Sequence, residues 1–107
     1  MINNKKIIAL IPARSGSQRL KNKNILKFHR FPLITWTIKA ATQSKLIDNI
    51  FISTDSKKII EIAKKNNVII PFSRPAYLSK NESKIEDVII YSLNKMKEKF
   101  DIILLLQ

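Results

Sequence analysis

The chain has 107 residues, 45% of them hydrophobic and 26% charged, so it is the size of one small domain and can bury one core. It has no cysteine and one histidine, which excludes a disulfide framework, a thiolate metal site and a multi-histidine metal cluster. No apolar run approaches the roughly 18 residues of a membrane span, and the first residues make a poor signal peptide. We therefore expect a soluble, cytoplasmic domain.

The formal net charge is +12, and it is unevenly distributed. Asp48 is the first acidic residue, and ten of the 20 lysines and arginines precede it. The positive excess therefore belongs to the N-terminal half, where it would attract the phosphates of a nucleotide or of a polynucleotide. Lysine is abundant throughout the chain, so compositional bias is an alternative origin for part of this charge.

The apolar pattern predicts strands and helices in alternation. Continuous apolar runs predict buried strands at residues 7–11, 50–52, 68–70 and 102–106. Helical spacing predicts helices over about 32–44, about 56–66, and from Ser83 onward, where Ser83 and Glu86 have capping-box spacing. Residues 72–81 are expected to form a loop. This order indicates an α/β fold with a parallel sheet, in one domain or part of one. Because the chain stops directly after its last apolar strand, we interpret it as a truncated protein or a fragment.

A basic loop with the only glycine of the chain follows the first predicted strand. In α/β proteins, phosphate-binding loops occupy this position. Small residues at 15–17 would let backbone N–H groups approach an anion, and the surrounding arginines and lysines would neutralise a triphosphate. The loop matches neither GxxxxGK[ST] nor GxGxxG. A solvated basic turn is the alternative interpretation.

Residues 11–24, IPARSGSQRLKNKN, strongly resemble the nucleotide loop of the acylneuraminate cytidylyltransferases, or CMP-sialic acid synthetases. Four later segments resemble motifs of the same family in the same order. They are FPLITWTI at 31–38, ISTD at 52–55, RPAYLS at 74–79 and LLLQ at 104–107. Each motif is weak alone, but five of them with family-like spacing cover essentially the whole chain.

The resemblance implies a three-layer, nucleotide-diphospho-sugar-transferase-like (Rossmann-like) α/β fold with a mostly parallel sheet, truncated after the fourth strand. Residues 1–107 would be the N-terminal, nucleotide-binding part of an incomplete cytidylyltransferase domain. The implied reaction transfers CMP from CTP to a sialic acid or a related nonulosonic acid, such as legionaminic or pseudaminic acid, and releases pyrophosphate. The implied partners are CTP and this acidic nine-carbon sugar, Mg²⁺ is the implied cofactor, and full-length members are expected to be homodimers.

The resemblance also assigns roles to individual positions. Arg14 and Lys23 match the catalytic cations near the triphosphate. The nucleotide-binding positions are Arg14, Ser15, Gly16, Ser17, Asn24, Arg74, Ser83 and Gln107. No residue is assigned to a metal, because the paired magnesium-binding aspartates of the family lie downstream of residue 107. Much of the sugar pocket and the dimerisation segment lie there too.

The chain departs from the family pattern at several positions. Gln18 stands where many members have lysine, and Tyr77 replaces the usual glutamate of RPAEL. Residues 81–84 replace the usual DTTS, in which a hydroxyl lies near the nucleotide. Two roles stay open for Ser83, which either supplies that hydroxyl or only caps the following helix.

Four other residues have a structural interpretation beside a functional one. Asp55 ends a strand before a helix, and we expect it to be the helix N-cap rather than a ligand contact. His29 is expected at the surface, and Trp36 in the core rather than in a base-stacking site. Arg74, beside a proline in a polar loop, has no evident structural partner, so both interpretations stay open.

Cytidylyl transfer is the function that the sequence favours. The alternative is a non-catalytic, truncated module that binds a nucleotide without turning it over. A basic nucleic-acid-binding domain is less favoured, because the sequence has neither a helix-turn-helix nor an aromatic RNA-binding signature.

Overall fold

The computed structural model describes residues 1–14, 27–28, 30–80, 83–96 and 98–106. Its elements in chain order are β1 (Ile7–Pro12), β2 (Lys27–Phe28), β3 (Phe31–Pro32), α1 (Leu33–Gln43), β4 (Asn49–Ser53), α2 (Lys57–Lys65), a 3₁₀ turn (Ala76–Leu78), α3 (Ile85–Lys95) and β5 (Ile102–Leu105). The predicted alternation of strands and helices is confirmed for all elements except the strand expected at 68–70. No helix in the described part of the chain is long and apolar enough to cross a bilayer.

The main sheet has three parallel strands in the order β4-β1-β5. β1 is the central strand, and five of its six residues are buried, as its continuous apolar run predicts. At the amino end of the β1–β4 pair, the Ile7 N–H donates to the Asp48 carboxylate at 2.7 Å, and the Asp48 N–H donates to the Ile7 carbonyl at 2.9 Å. The bond from Ile7 lowers the pKa of Asp48 below its usual value. A separate antiparallel hairpin joins β2 to β3.

Helices lie on both faces of the sheet, which gives the predicted three layers. On one face, Ile11 and Ile52 pack with Ile38 of α1 and Ile59 of α2. On the other face, Leu10 and Phe51 belong to a second cluster that includes Ile89 of α3, and their alternation with Ile11 and Ile52 follows the period of two of a strand. The sequence therefore forms a small α/β unit with β1 between two apolar layers.

Residues 68–70 do not form a strand, so this prediction was wrong. Asn67 has a left-handed backbone, with φ of 63°, and the Val68 N–H donates to the Ala63 carbonyl at 2.9 Å. Together with the bond from the Asn67 N–H to the Lys64 carbonyl, this pattern is a Schellman motif that ends α2. The side chain of Val68 still packs in the core, which accounts for the apolar pattern, but its N–H is already used by the helix end.

Two predictions of burial were also wrong. Residues 102–104 of β5 are exposed, because neither hydrophobic cluster among the described residues covers them; of β5, Leu105 packs against a cluster. Trp36 is 38% exposed and meets the Phe31 ring edge-on at 5.7 Å between centroids. The buried stripe of α1 contains Ile34 and Ile38, and Trp36, two residues after Ile34, lies on the opposite side of the helix.

The helix end at Asn67 generates a stability prediction. A left-handed backbone costs an alanine roughly 1–2 kcal/mol, whereas glycine adopts it without a steric penalty. We expect Asn67→Ala to lower the free energy of unfolding by about 1 kcal/mol and Asn67→Gly to leave it unchanged or raise it. Urea denaturation followed by circular dichroism measures both. Equal stability of the alanine and glycine variants would contradict the left-handed backbone at this position.

Candidate nucleotide site at the carboxyl edge of the sheet

The three parallel strands end at the same edge of the sheet, and the residues that follow them lie there. Ala13 and Arg14 follow β1, while Thr54 and Asp55 follow β4. After β5, the Leu106 N–H donates to the Leu10 carbonyl at 3.0 Å, so the pairing with β1 extends by one residue. In open α/β sheets, ligands bind outside the carboxyl ends of the strands, where neighbouring connections diverge from a central strand.

The backbone carbonyl of Ser53 joins the two strand ends. It accepts the Ala13 N–H at 2.8 Å and Nη2 of Arg74 at 3.0 Å. A carbonyl oxygen has two lone pairs, and both bonds are within the normal range for N–H···O. This one atom therefore connects β4 to the residue that precedes Arg14 and to the guanidinium of Arg74.

Arg74 is 7% exposed and makes three side-chain hydrogen bonds within the described residues. Besides its bond to the Ser53 carbonyl, it donates from Nε to Ser53 Oγ at 3.0 Å and from Nη1 to the Leu78 carbonyl at 3.4 Å. Its backbone N–H donates to the Thr54 carbonyl at 2.7 Å. The expectation that Arg74 has no evident structural partner was wrong, because its partner lies 21 residues earlier in the chain.

Two other charged residues, Asp55 and Arg14, act electrostatically on Arg74. Burial lowers the pKa of Arg74 from its usual value, the charge of Asp55 acts in the opposite direction, and the charge of Arg14 lowers the pKa further. Two cations and a carboxylate are therefore near one another at this edge of the sheet. Such a cluster has an excess of positive charge at the ends of the strands, which favours anionic ligands there.

Ser56, and not Asp55, is the N-cap of α2. Its Oγ accepts the Ile59 N–H at 3.3 Å, so the prediction for Asp55 was wrong by one residue. Thr54 lies directly before this cap and is fully buried, and its Oγ1 accepts the Ser56 N–H at 3.0 Å. Serine and aspartate are both strong N-cap residues, so residue type alone did not separate the neighbouring positions.

Ser83 does not cap α3, so the predicted capping box was wrong. The N-cap of α3 is Lys84, whose side chain makes no capping bond. Ser83 Oγ instead accepts the Lys80 N–H at 3.1 Å and donates to the Tyr77 carbonyl at 3.3 Å, which turns it back toward the preceding turn. Arg74 and Ser83 therefore both contact carbonyls of the 3₁₀ turn, and the nucleotide role of Ser83 stays a prediction.

Six of the predicted site residues lie outside the described part of the chain: Ser15, Gly16, Ser17, Lys23, Asn24 and Gln107. His29 lies outside it as well. Sequence reasoning missed Ser53 as a site residue. The signal that could have found it was its place at the end of a buried strand, followed by two more polar residues.

The described residues do not by themselves form a metal site. Among them, no three His, Cys, Asp or Glu side chains come together in a way that could hold a metal ion. Mg²⁺ in nucleotide sites usually keeps several waters and is held by one or two carboxylates together with the substrate phosphates. A Mg²⁺ site at this edge would therefore need the phosphates of a bound nucleotide in addition to protein side chains.

Comparison with known proteins points to one family. A family model described as "Cytidylyltransferase" matches residues 8–107. The chain is 40% identical over 105 residues to a CMP-N,N'-diacetyllegionaminic acid synthase of Legionella pneumophila, an alignment that covers 95% of this chain and 45% of that protein. It is 50% identical over 58 residues to an N-acylneuraminate cytidylyltransferase of Escherichia coli, covering 54% of this chain and 14% of that protein.

A solved structure supports the fold assignment. A CMP:2-keto-3-deoxy-manno-octonic acid synthetase complexed with CTP superposes with a TM-score of 0.78 over 95% of this chain and 39% of that chain, at 24% identity. At this identity the likeness shows the fold, which is the Rossmann-like class expected from the sequence. The chain spans less than half the length of these relatives.

The N-cap of α2 generates a prediction for this edge. Ser56→Ala removes the acceptor of the Ile59 N–H and should lower the free energy of unfolding by about 1 kcal/mol. Ser56→Asp keeps an acceptor and adds a negative charge at the helix N-terminus, so it should preserve stability. Urea denaturation of the two variants distinguishes them, and an alanine variant as stable as the parent chain would argue against Ser56 as the cap.

Proposed function

This chain belongs to the cytidylyltransferase family, and we propose that the protein transfers CMP from CTP to a sialic acid or a related nonulosonic acid, with release of pyrophosphate. The relatives named for legionaminic acid and for acylneuraminate support this sugar class. Residues 1–107 would supply the nucleotide-binding part of the domain. The contacts to the sugar would come largely from elsewhere in the protein, because the chain matches less than half of the length of its relatives.

The proposal rests on two arginines that lie close together at the carboxyl edge of a parallel sheet. Arg14 follows β1 and begins the basic loop, and Arg74 is fixed to the end of β4. Burial lowers the pKa of Arg74, the charge of Asp55 acts in the opposite direction and the charge of Arg14 lowers the pKa further, so both cations lie near one carboxylate. The phosphates of a bound nucleotide would add negative charge beside the two cations.

In the proposed reaction, the anomeric hydroxyl oxygen of the sugar attacks the α-phosphorus of CTP. A new bond forms between this oxygen and the α-phosphorus, the bond to the bridging oxygen of the β-phosphate breaks, and the hydroxyl proton is lost. Pyrophosphate leaves with the electrons of the broken bond. In this type of transfer, the protein contributes mainly by positioning the phosphates and stabilising their charge. Arg14 would act on the triphosphate in this way, together with Lys23, Ser15, Gly16 and Ser17.

The other proposed contacts follow the family resemblance. Asn24, Arg74, Ser83 and Gln107 would contact the nucleotide. Mg²⁺ would arrive with the nucleotide phosphates, and its protein ligands would come from outside this chain. Homodimerisation likewise belongs to the proposal for the whole protein.

The proposal predicts that the chain prefers CTP. Isothermal titration calorimetry with CTP and Mg²⁺ should show binding at least about tenfold tighter than with ATP and Mg²⁺, a difference of about 1.4 kcal/mol. The reason is that base contacts distinguish the nucleotides, whereas phosphate contacts alone do not. Circular dichroism establishes that the titrated chain is folded.

Two results would contradict this. A folded chain without CTP binding would remove the proposed site from residues 1–107. Equal binding of CTP and ATP, weakening steeply with salt, would favour a basic surface that attracts any polyphosphate. A separate assay for pyrophosphate release in the presence of sugar distinguishes transfer from binding without turnover.

The proposed function also predicts the effect of changing Arg14. Arg14→Ala removes one charge-assisted contact to phosphate, typically about 1.5–3 kcal/mol, so CTP affinity should fall at least about tenfold. The fold should persist, because Arg14 lies beyond the end of β1 and is only half-buried. Lys65→Ala is the matched control, since it removes one positive charge from the exposed last turn of α2. Unchanged CTP affinity in folded Arg14→Ala would overturn the role of the loop.

A further inference from the structure

Ser53 contacts both segments that carry the clustered arginines. Its carbonyl accepts the Ala13 N–H, next to Arg14, and it accepts Arg74 through both its carbonyl and its Oγ. Ser53 is 2% exposed, so these bonds form out of contact with bulk water. Hydrogen bonds from a charged donor in such surroundings are stronger than those between neutral groups.

The contact between Ser53 and Arg74 uses the shape of the guanidinium. Nε and Nη2 lie along one side of the planar group, and two oxygens of a single residue accept from them, each at 3.0 Å. This two-point contact fixes the plane and the direction of the guanidinium, which a single bond does not do. Lysine has no planar fork and could not reproduce the contact.

The fixed guanidinium keeps donor capacity for a ligand. A guanidinium has five N–H donors, and Arg74 uses three of them within the described residues, the third in a long 3.4 Å bond to the Leu78 carbonyl. The two other N–H groups, one on Nη1 and one on Nη2, are not used by a described residue. Because the guanidinium is already fixed, a ligand acceptor that bonds to these donors would cost little conformational entropy of the Arg74 side chain.

We propose that Ser53 is a positioning residue for nucleotide binding: it holds the Arg74 guanidinium in a fixed plane and ties it to the strand end that carries Arg14. This inference rests on the proposed function, since it assigns Arg74 to a nucleotide. Ser53 acts through Arg74 and through the backbone of Ala13. The bond from Arg74 Nε ends on the Ser53 side chain. The bonds from Arg74 Nη2 and from the Ala13 N–H end on the Ser53 backbone carbonyl. A change of the Ser53 side chain therefore removes only the first of these bonds.

The test begins with Ser53→Ala. This change leaves the Arg74 Nε–H without its acceptor while keeping the backbone bonds, so the guanidinium loses one of its two fixed points. We expect CTP affinity to fall by roughly tenfold, the usual effect of losing one charge-assisted hydrogen bond. Arg74→Lys should cause at least as large a loss, since it also removes the guanidinium donors proposed for the ligand. The double variant should bind no more weakly than Arg74→Lys, because without the guanidinium the Ser53 hydroxyl has nothing left to orient.

Ser92→Ala is the matched control. It removes another buried serine hydroxyl, which donates to the Val88 carbonyl within α3 and lies outside the candidate site. Its CTP affinity should stay within about twofold, since Arg74 keeps its side-chain contacts. Urea denaturation reports the stability of every variant. Should the alanine variant not fold, Ser53→Cys keeps nearly the same volume with a weaker acceptor and serves in its place.

A second readout follows Arg74 directly and needs no nucleotide. In ¹⁵N NMR spectra of the parent chain, the Arg74 Nε–H should exchange slowly with water, and Ser53→Ala should accelerate this exchange at least about tenfold. Unchanged exchange and CTP affinity in folded Ser53→Ala would overturn the inference, as would an equal loss of CTP affinity in Ser92→Ala. A parent chain that binds no CTP would overturn the proposed function and the nucleotide part of this inference. The exchange rates would then still decide whether Ser53 holds Arg74.

Discussion

The parallel pairing of β1 with β4 is the interaction on which the candidate site depends. Reciprocal bonds between Ile7 and Asp48 fix its amino end, and the bond from Ala13 to Ser53 fixes its carboxyl end. The apolar side chains of both strands pack on both faces of the sheet, so the register cannot slip by one residue without exposing them. The chain therefore leaves the two strands at defined positions, with Arg14 one residue beyond a hydrogen-bonded pair.

Most secondary structure could be predicted from the sequence because burial imposes a period on it. The apolar run of β1 and the helical stripe of α2 both formed the elements that their patterns predict. The run at 68–70 shows the limit of this reasoning. Val68 is buried, as its residue type suggests, but a left-handed Asn67 assigns the Val68 N–H to the end of α2. A strand requires partners for its backbone, and the apolar pattern reports only the side chains.

The candidate site was predictable to a smaller extent, because its contacts are between distant residues. The sequence identified Arg14 and Arg74, but it contained no sign that Arg74 bonds to a residue 21 positions earlier. Local polar contacts were equally ambiguous. Asp55 and Ser56 were both able to cap α2, and the Oγ of Ser83 was able to bond backward or forward along the chain. Small differences in backbone direction decided each case, and residue type does not encode them.

The sequence left a structural and a functional interpretation open for Arg74, and the geometry makes them compatible. A buried cation contributes little net stability, because the free energy of removing it from water offsets much of what its hydrogen bonds contribute. Apolar residues often replace such groups without loss of folding stability. We therefore interpret the bonds to Ser53 as contacts that keep the planar guanidinium of Arg74 in one orientation. This guanidinium lies at the carboxyl edge of the sheet, where ligands bind in α/β proteins. The structural contacts of Arg74 are in this view the condition for its functional role.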